Sequence, residues 1–345
     1  LAETVSALVL QGGGALGAYE LGAARYLYKN RSFKPGLIAG VSIGAISGVL
    51  LARPHPRLGP LGALEEFWKR VAVPGVPPLR QYASLFGNPR FFEPRWDVLD
   101  WIHWTSFYNI GPLRQTLSEL VDLKALADPS ILPNLIVGTT DVEAGSSTVF
   151  KSAEGGFSLD QVLASASLPP SFPMTSINGR NYWDGGLLNN TPIEPILDHF
   201  EKIPCDKRII YVVNLFPRRA PLPESLAEVL DRIVDLQFAD RVSATQKRFS
   251  EWSETANLMQ ELERLPVDHP IRSSEAFKVM QARRYHLRPL IVSITNPKPL
   301  SGFAASDFSP ETIRKLADEG YRQTAKEVQR HALGFDHDDT VTALS

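Results

Sequence analysis

Two glycine-rich turns, each following a short apolar run and leading into small residues, constrain this chain more than any other feature. The first lies in LVLQGGGALGAYELG, residues 8–22, and the second in LIAGVSIGAISGVL, residues 37–50. Residues 7–10 read as a buried strand and residues 18–29 as a helix, with Leu21, Ala24, Tyr26 and Leu27 partly periodic. The plan then repeats: residues 37–39 as strand, a turn at 40–44, and a helix through Leu51 that stops before Pro54. Two consecutive strand–turn–helix units need crossover connections, and these argue for a parallel sheet with helices packed on it.

The first turn spells G-x-G-x-x-G with Gly12, Gly14 and Gly17, the pattern of a dinucleotide-binding loop. Such a site also needs an acidic residue about 20 positions further on, to hold the ribose hydroxyls. Between Leu21 and Leu64 there is no Asp or Glu, which argues against a nucleotide. The backbone N–H groups of the loop are then open to another negative charge.

The second turn, Gly40 to Gly44, is G-x-S-x-G with Ser42 at its centre. A sharp strand-to-helix turn can hold a serine in a strained conformation, with glycines beside it because a Cβ there meets the neighbouring strand or helix. It also sets the serine at a helix N-terminus, where unpaired N–H groups can stabilise an oxyanion. The plain alternative is that Ser42 simply caps the helix.

A nucleophilic serine needs a base. None of the seven histidines (His55, His103, His199, His269, His286, His331 and His337) sits in a loop suited to that role. Only one strand precedes the Ser42 unit, which also argues against a Ser–His–Asp α/β-hydrolase, where several strands come first. The best carboxylate is Asp184 in WDGGLLNN, at a tight turn. Its plain alternative is a turn aspartate with an Asx bond.

Residues 72–112 are rich in proline, and nine aromatics fall between Tyr82 and Tyr108. They read either as an excursion packed by its own rings or as a lid or acyl-chain wall. Beyond it, residues 111–126 read as helix, 134–141 and 146–151 as a hairpin, and 158–167 as a helix ended by LPPSFP. Residues 193–200 read as helix and 208–215 as a buried strand. From 218 to about 284 the pattern becomes long charged helices, for instance 222–248. A strand returns at 290–294, followed by a helix over 310–329 with Ser309 as N-cap and a mobile tail.

At 43% hydrophobic, 21% charged and a formal net charge of −2, the 345-residue chain has the composition of a soluble globular protein, without the basic excess that attracts nucleic acid. Cys205 is the sole cysteine, so neither an intramolecular disulfide nor a cysteine metal site can form. The apolar stretch 37–52 is broken by Gly and Ser and is too short to span a bilayer. No cofactor and no metal is expected, and a start at Leu1 leaves open a leader removed from the chain.

GGGALG, GVSIG and DGG, in this order, together resemble the patatin-like phospholipases, and ASASLPPSFP (164–173) is similar to that family's approach to its aspartate. The resemblance implies an α/β/α fold of three layers with a mainly parallel central sheet and an added helical C-terminal region. It places the catalytic domain over 6–215, with an insertion at about 72–112. A helical extension over 216–330 returns one strand near 290–294, and a tail runs over 331–345. It implies a lipid acyl hydrolase using a Ser–Asp dyad, Ser42 as nucleophile and Asp184 as base, through an acyl-enzyme. The oxyanion hole maps to the N–H groups of Gly12, Gly13 and Gly14, and the N–H of Ile43 next to the nucleophile is a further donor. The implied partner is a lipid or other acyl ester, with transient contact to a membrane surface, in the cytoplasm or at a membrane periphery. Leu16 departs from the family, which carries Arg or Lys just before the last glycine of the loop. Two other functions share these motifs: an acyltransferase using the same acyl-enzyme, and a binding protein with a weakened site.

Overall fold

In a sheet covered on both faces, successive side chains all find apolar partners, and its strands read as unbroken apolar runs. The computed structural model describes residues 4–29, 33–74, 86–201, 203, 205, 207–217, 220–238, 258–259, 261–281, 289–297 and 304–332. Its first half contains β1 (Thr4–Leu10), α1 (Ala18–Lys29), β2 (Leu37–Val41), α2 (Ile43–Ala52), α3 (Gly59–Arg70), β3 (Glu93–Pro94), β4 (Tyr108–Asn109), α4 (Gly111–Leu120) and α5 (Leu123–Ala127). Next come β5 (Asn134–Asp141), β6 (Ser146–Lys151), α6 (Leu159–Ser165), β7 (Thr175–Ile177), β8 (Arg180–Asp184), α7 (Glu194–Phe200) and β9 (Lys207–Asn214). The remainder holds α8 (Leu226–Phe238), α9 (Pro270–Ser273), α10 (Glu275–Gln281), β10 (Leu290–Thr295) and α11 (Pro310–Ala332).

The central sheet runs β10–β9–β1–β2–β5–β8–β7, with β6 also on β5. The five strands from β10 to β5 are mutually parallel, while β6 and β8 run antiparallel to β5. Leu8 and Leu10 of β1 enter one apolar cluster and Ala7 and Val9 the other. Leu135 and Val137 divide from Ile136 in the same way. Helices therefore cover both faces: α1, α2 and α3 on one, and α7, through Ile196, Leu197 and Phe200, on the other. This is the mostly parallel, helix-flanked architecture expected from the two turns.

Strand β5 sets the site. Its pairing with β6 spans Ile136 to Asp141 along one edge. On the other edge β2 pairs up to Val41↔Gly138, and at the very next residue β8 takes over with Thr139↔Asp184. The residue after β2 and the last residue of β8 are thus brought side by side.

Three elements differ from the sequence reading. The helix expected over 111–126 is broken into α4 and α5, because Val121 bridges to Pro54 and the Asp122 carboxylate caps Lys124 and Ala125 at 3.0 and 3.1 Å. The helix expected over 158–167 ends at Ser165, its start fixed by a capping box between Ser158 and Gln161. The long helix expected over 222–248 is α8, shorter at its start; residues 239–248, like 333–345 of the tail, lie outside the described residues. Ser309 caps α11 as expected, accepting from Thr312 N–H at 3.3 Å. Helix α11 lies backbone to backbone on α1: a Cβ on Gly320 would sit 2.1 Å from Tyr19 O. No described helix is long and apolar enough to cross a membrane.

Candidate active site

Strand β2 ends at Val41 and α2 begins at Ile43, so a single residue makes the turn. That residue, Ser42, is held at φ 56° and ψ −125°, a strained region for a side-chain-bearing residue. The flanking glycines are required: a Cβ on Gly40 would lie 2.2 Å from Gly44 O, and one on Gly44 2.2 Å from Leu10 O. The Ser42 side chain makes no capping hydrogen bond, so its hydroxyl is not spent on the helix. The Ser42 N–H donates to Ser165 Oγ at 2.9 Å, and Ser165 Oγ donates to Gly138 O at 2.6 Å, tying the elbow to β5.

Asp184 is fixed from three sides. Its N–H donates to Ser167 O at 3.0 Å, its carbonyl accepts from Thr140 Oγ1 at 2.9 Å, and its Oδ1 accepts from Gly186 N–H at 2.8 Å. The last of these is the Asx bond of the plain turn reading, and it occupies only one carboxyl oxygen. Oδ2 is buried and has no hydrogen-bond partner among the described residues, in a residue only 1% exposed. Burial pushes the Asp184 carboxyl up to about 7, against the downward pull of the nearby Ser42 hydroxyl and the Gly186 N–H. A Cβ on Gly185 would lie 2.4 Å from Gly138 O, which explains the first glycine of the DGG turn.

The loop before Gly17 is pinned by two amides. Gln11, fully buried, accepts from Leu215 N–H at 2.8 Å and donates to Thr191 Oγ1 and Phe238 O, both at 3.1 Å. Asn190 clamps Gly12 twice, accepting its N–H at 3.0 Å and donating to its carbonyl at 3.1 Å. The Gly12 N–H is therefore already spent, contrary to the expectation that it faces an oxyanion. Those of Gly13, Gly14 and Ile43 have no acceptor among the described residues. Gly14 has a φ of +56°, and a Cβ there would meet Ala305 O at 2.4 Å. Leu16 is buried in the larger apolar cluster and does not line the cavity around Ser42, so a cation at that position would be desolvated among hydrocarbon.

Ser42, Ile43, Asp184, Asn190 and the loop Gly12–Gly14 open onto one cavity of about 460 Å³. Its wall is aromatic, with Phe91, Phe92, Phe172 and Phe308 in one group of contacting rings and Phe216 and Phe238 in another. No described histidine lines it, and His286 and His337 lie outside the described residues. Among the described residues no cluster of His, Cys, Asp and Glu is arranged to hold a metal ion. Glu20 is a second carboxyl pushed well up by burial, but it faces Ser47 between α1 and α2, away from this cavity.

Gln11, Asn190 and Ser165 were not singled out by sequence reasoning. All three lie inside quoted motifs, Gln11 in LVLQGGGALGAYELG, Asn190 in WDGGLLNN and Ser165 in ASASLPPSFP, where a polar residue in an otherwise small or apolar run was the available signal. Asn190→Ala is expected to free the Gly12 backbone and lower turnover about 10- to 100-fold with a smaller change in KM, as misplacement of a positioned group does. Steady-state kinetics on a soluble ester check this; an unchanged kcat would show that the clamp does not position the loop.

The Patatin-like phospholipase family model matches residues 8–197. No curated protein sequence matches the chain. Among solved structures, the crystal structure of VipD from Legionella pneumophila aligns at 17% identity over 99% of this chain and 71% of that one, with a TM-score of 0.40, too distant to bear on mechanism.

Proposed function

Since the chain belongs to the patatin-like phospholipase family, a family of lipid acyl hydrolases, we propose that it hydrolyses carboxylic esters of lipids with Ser42 as nucleophile and Asp184 as base. The observation that carries this reading is the buried Oδ2 of Asp184, without a hydrogen-bond partner among the described residues, which shares the cavity with a serine hydroxyl not used by its own helix. With its carboxyl raised to about 7, Asp184 is a far better proton acceptor than an ordinary aspartate and is still substantially ionised at neutral pH.

In the first half-reaction the Ser42 hydroxyl gives its proton to Asp184 Oδ2 as Oγ bonds the ester carbonyl carbon. The N–H groups of Gly13, Gly14 and Ile43 receive the oxyanion, and Gly12 serves by holding the loop through Asn190. Collapse breaks the ester C–O bond, and Asp184 returns the proton to the departing alcohol. Water then adds to the acyl-enzyme with Asp184 again as base, releasing the fatty acid and restoring Ser42. The chemistry is assigned to residues 6–215, while the part of the chain after 216 contributes Phe238 and Phe308 to the cavity wall.

The aromatic wall supports an acyl chain as the group bound beside the serine. Esters of one alcohol with acyl chains of increasing length should show kcat/KM rising about threefold to fourfold per methylene until the cavity is filled, the worth of about 0.8 kcal/mol per buried CH₂. A flat series would remove the acyl-pocket assignment. The same assay, run with a phospholipid and added alcohols, should release free fatty acid; acyl transfer to the alcohol as main product would make the protein a transferase.

A further inference from the structure

Between the buried pair Phe91 and Phe92 and the cavity residue Phe107, the chain projects large apolar side chains into solvent. Leu99 is fully exposed, and Trp96, Ile102 and Trp101 are 80%, 75% and 66% exposed. Soluble proteins expose such residues singly, and a contiguous group of them marks a binding surface. The projection is built and held in place. The N–H groups of Phe107 and Tyr108 donate to Pro170 O and Ser171 O at 3.0 and 2.9 Å, Arg95 pairs with Asp97, and the same guanidinium lies 5.0 Å over the Trp104 ring.

This patch continues into the cavity. Phe107 is 57% exposed and also lines the cavity that holds Ser42 and Asp184. Helix α8 also lines the cavity, through Val234 and Phe238, and leaves Ile233 and Leu236 exposed. The cavity is thus flanked by two elements that carry exposed apolar side chains, two apolar borders suited to a hydrocarbon–water boundary, where indole rings settle.

Charge decides between surfaces. Residues 86–107 carry Arg90 and Arg95 against Glu93, Asp97 and Asp100, and α8 carries Arg232 against Glu228, Asp231 and Asp235. Neither border has the cationic excess that draws a protein to anionic lipid. We infer that these two borders dock on a bilayer of zwitterionic phospholipid, setting the cavity mouth against the membrane so that an acyl ester can enter without crossing water. The inference rests on the proposed ester chemistry only for what the docked cavity does.

The test uses the full chain, with Ser42→Ala in the binding arm to leave the vesicles intact. It should sediment with phosphatidylcholine vesicles equally at low and high salt. The triple variant Leu99→Ser, Trp101→Ser, Ile102→Ser should bind at least tenfold more weakly. On the active background the same variant should lose turnover on vesicles and keep turnover on a water-soluble short-chain ester. If it also loses the soluble activity, the single change Leu99→Asp, at a fully exposed side chain, reads the same contrast. Three results would overturn the proposal: no binding to phosphatidylcholine, binding that needs anionic lipid and disappears with salt, or a dimer in solution that the triple variant dissolves. A chain that binds vesicles yet cleaves no soluble ester would leave the docking surface standing and remove the reading of Ser42 and Asp184.

Discussion

Ser42→Ala is expected to lower ester hydrolysis by about 10⁴-fold or more while the fold survives, since removal of a nucleophile leaves only the binding and oxyanion contributions. Its companion, Ser42→Gly, separates chemistry from strain. Ser42 sits at φ 56°, a conformation that costs a residue with a Cβ about 1–3 kcal/mol and glycine much less. Glycine also enlarges the entropy lost on folding, by about 0.5–1 kcal/mol. The net expectation is a protein as inactive as the alanine variant and more stable by about 1 kcal/mol, read from the denaturant midpoint. The space is already suited to the change, because the elbow is anchored through the backbone N–H of Ser42 to Ser165 and not through its side chain. A glycine variant less stable than wild type would mean that the turn stores no strain.

Asp184→Asn is expected to reduce turnover about 10³-fold or more and to abolish a pH dependence that wild type shows. The base must be ionised, so the wild-type rate should climb as pH rises through about 7 and level off above it. Stability should move the opposite way. The folded-state carboxyl is raised from 3.8 to about 7. Its contribution to stability is thus fully present below about 3.8 and is lost as pH rises through about 7. The loss is on the order of 4 kcal/mol at the usual 1.36 kcal/mol per unit. Asparagine keeps the Oδ1 acceptor for Gly186 N–H and cannot ionise, so the variant should gain on wild type as pH rises from about 4 to about 7 and hold that gain above it. Glu20, also pushed up by burial, adds a loss of the same sign to both proteins. The diagnostic is therefore the difference in denaturant midpoint between the two proteins at each pH. A difference that does not change with pH would show that Asp184 is not the raised carboxyl.

What could be read from the sequence follows from where the physics is local. The parallel core was legible because strands buried on both faces leave continuous apolar runs, and because crowded strand-to-helix turns demand glycine at Gly40 and Gly44. The break between α4 and α5 was not, since Asp122 becomes a cap only once Val121 bridges to Pro54, far away in the chain. Ser42 and Asp184 could each be named from a short motif, whereas their adjacency depends on β8 taking over the edge of β5 where β2 stops. Gly12 shows the same limit. Its N–H looked available in the glycine loop and is consumed by Asn190 across the fold. The aromatic segment is divided, with Phe91 and Phe92 packed inside and Trp96 and Trp101 outside, and no period in the sequence marks the division.

The most direct measurement is mapping, by mass spectrometry, of the adduct formed with a fluorophosphonate. One phosphonyl group on Ser42 is expected, none on the Ser42→Ala variant, and a labelling rate that rises through pH of about 7 in wild type but not in Asp184→Asn. An adduct on another residue, or no adduct under conditions where the protein hydrolyses an ester, would contradict the roles given to Ser42 and Asp184.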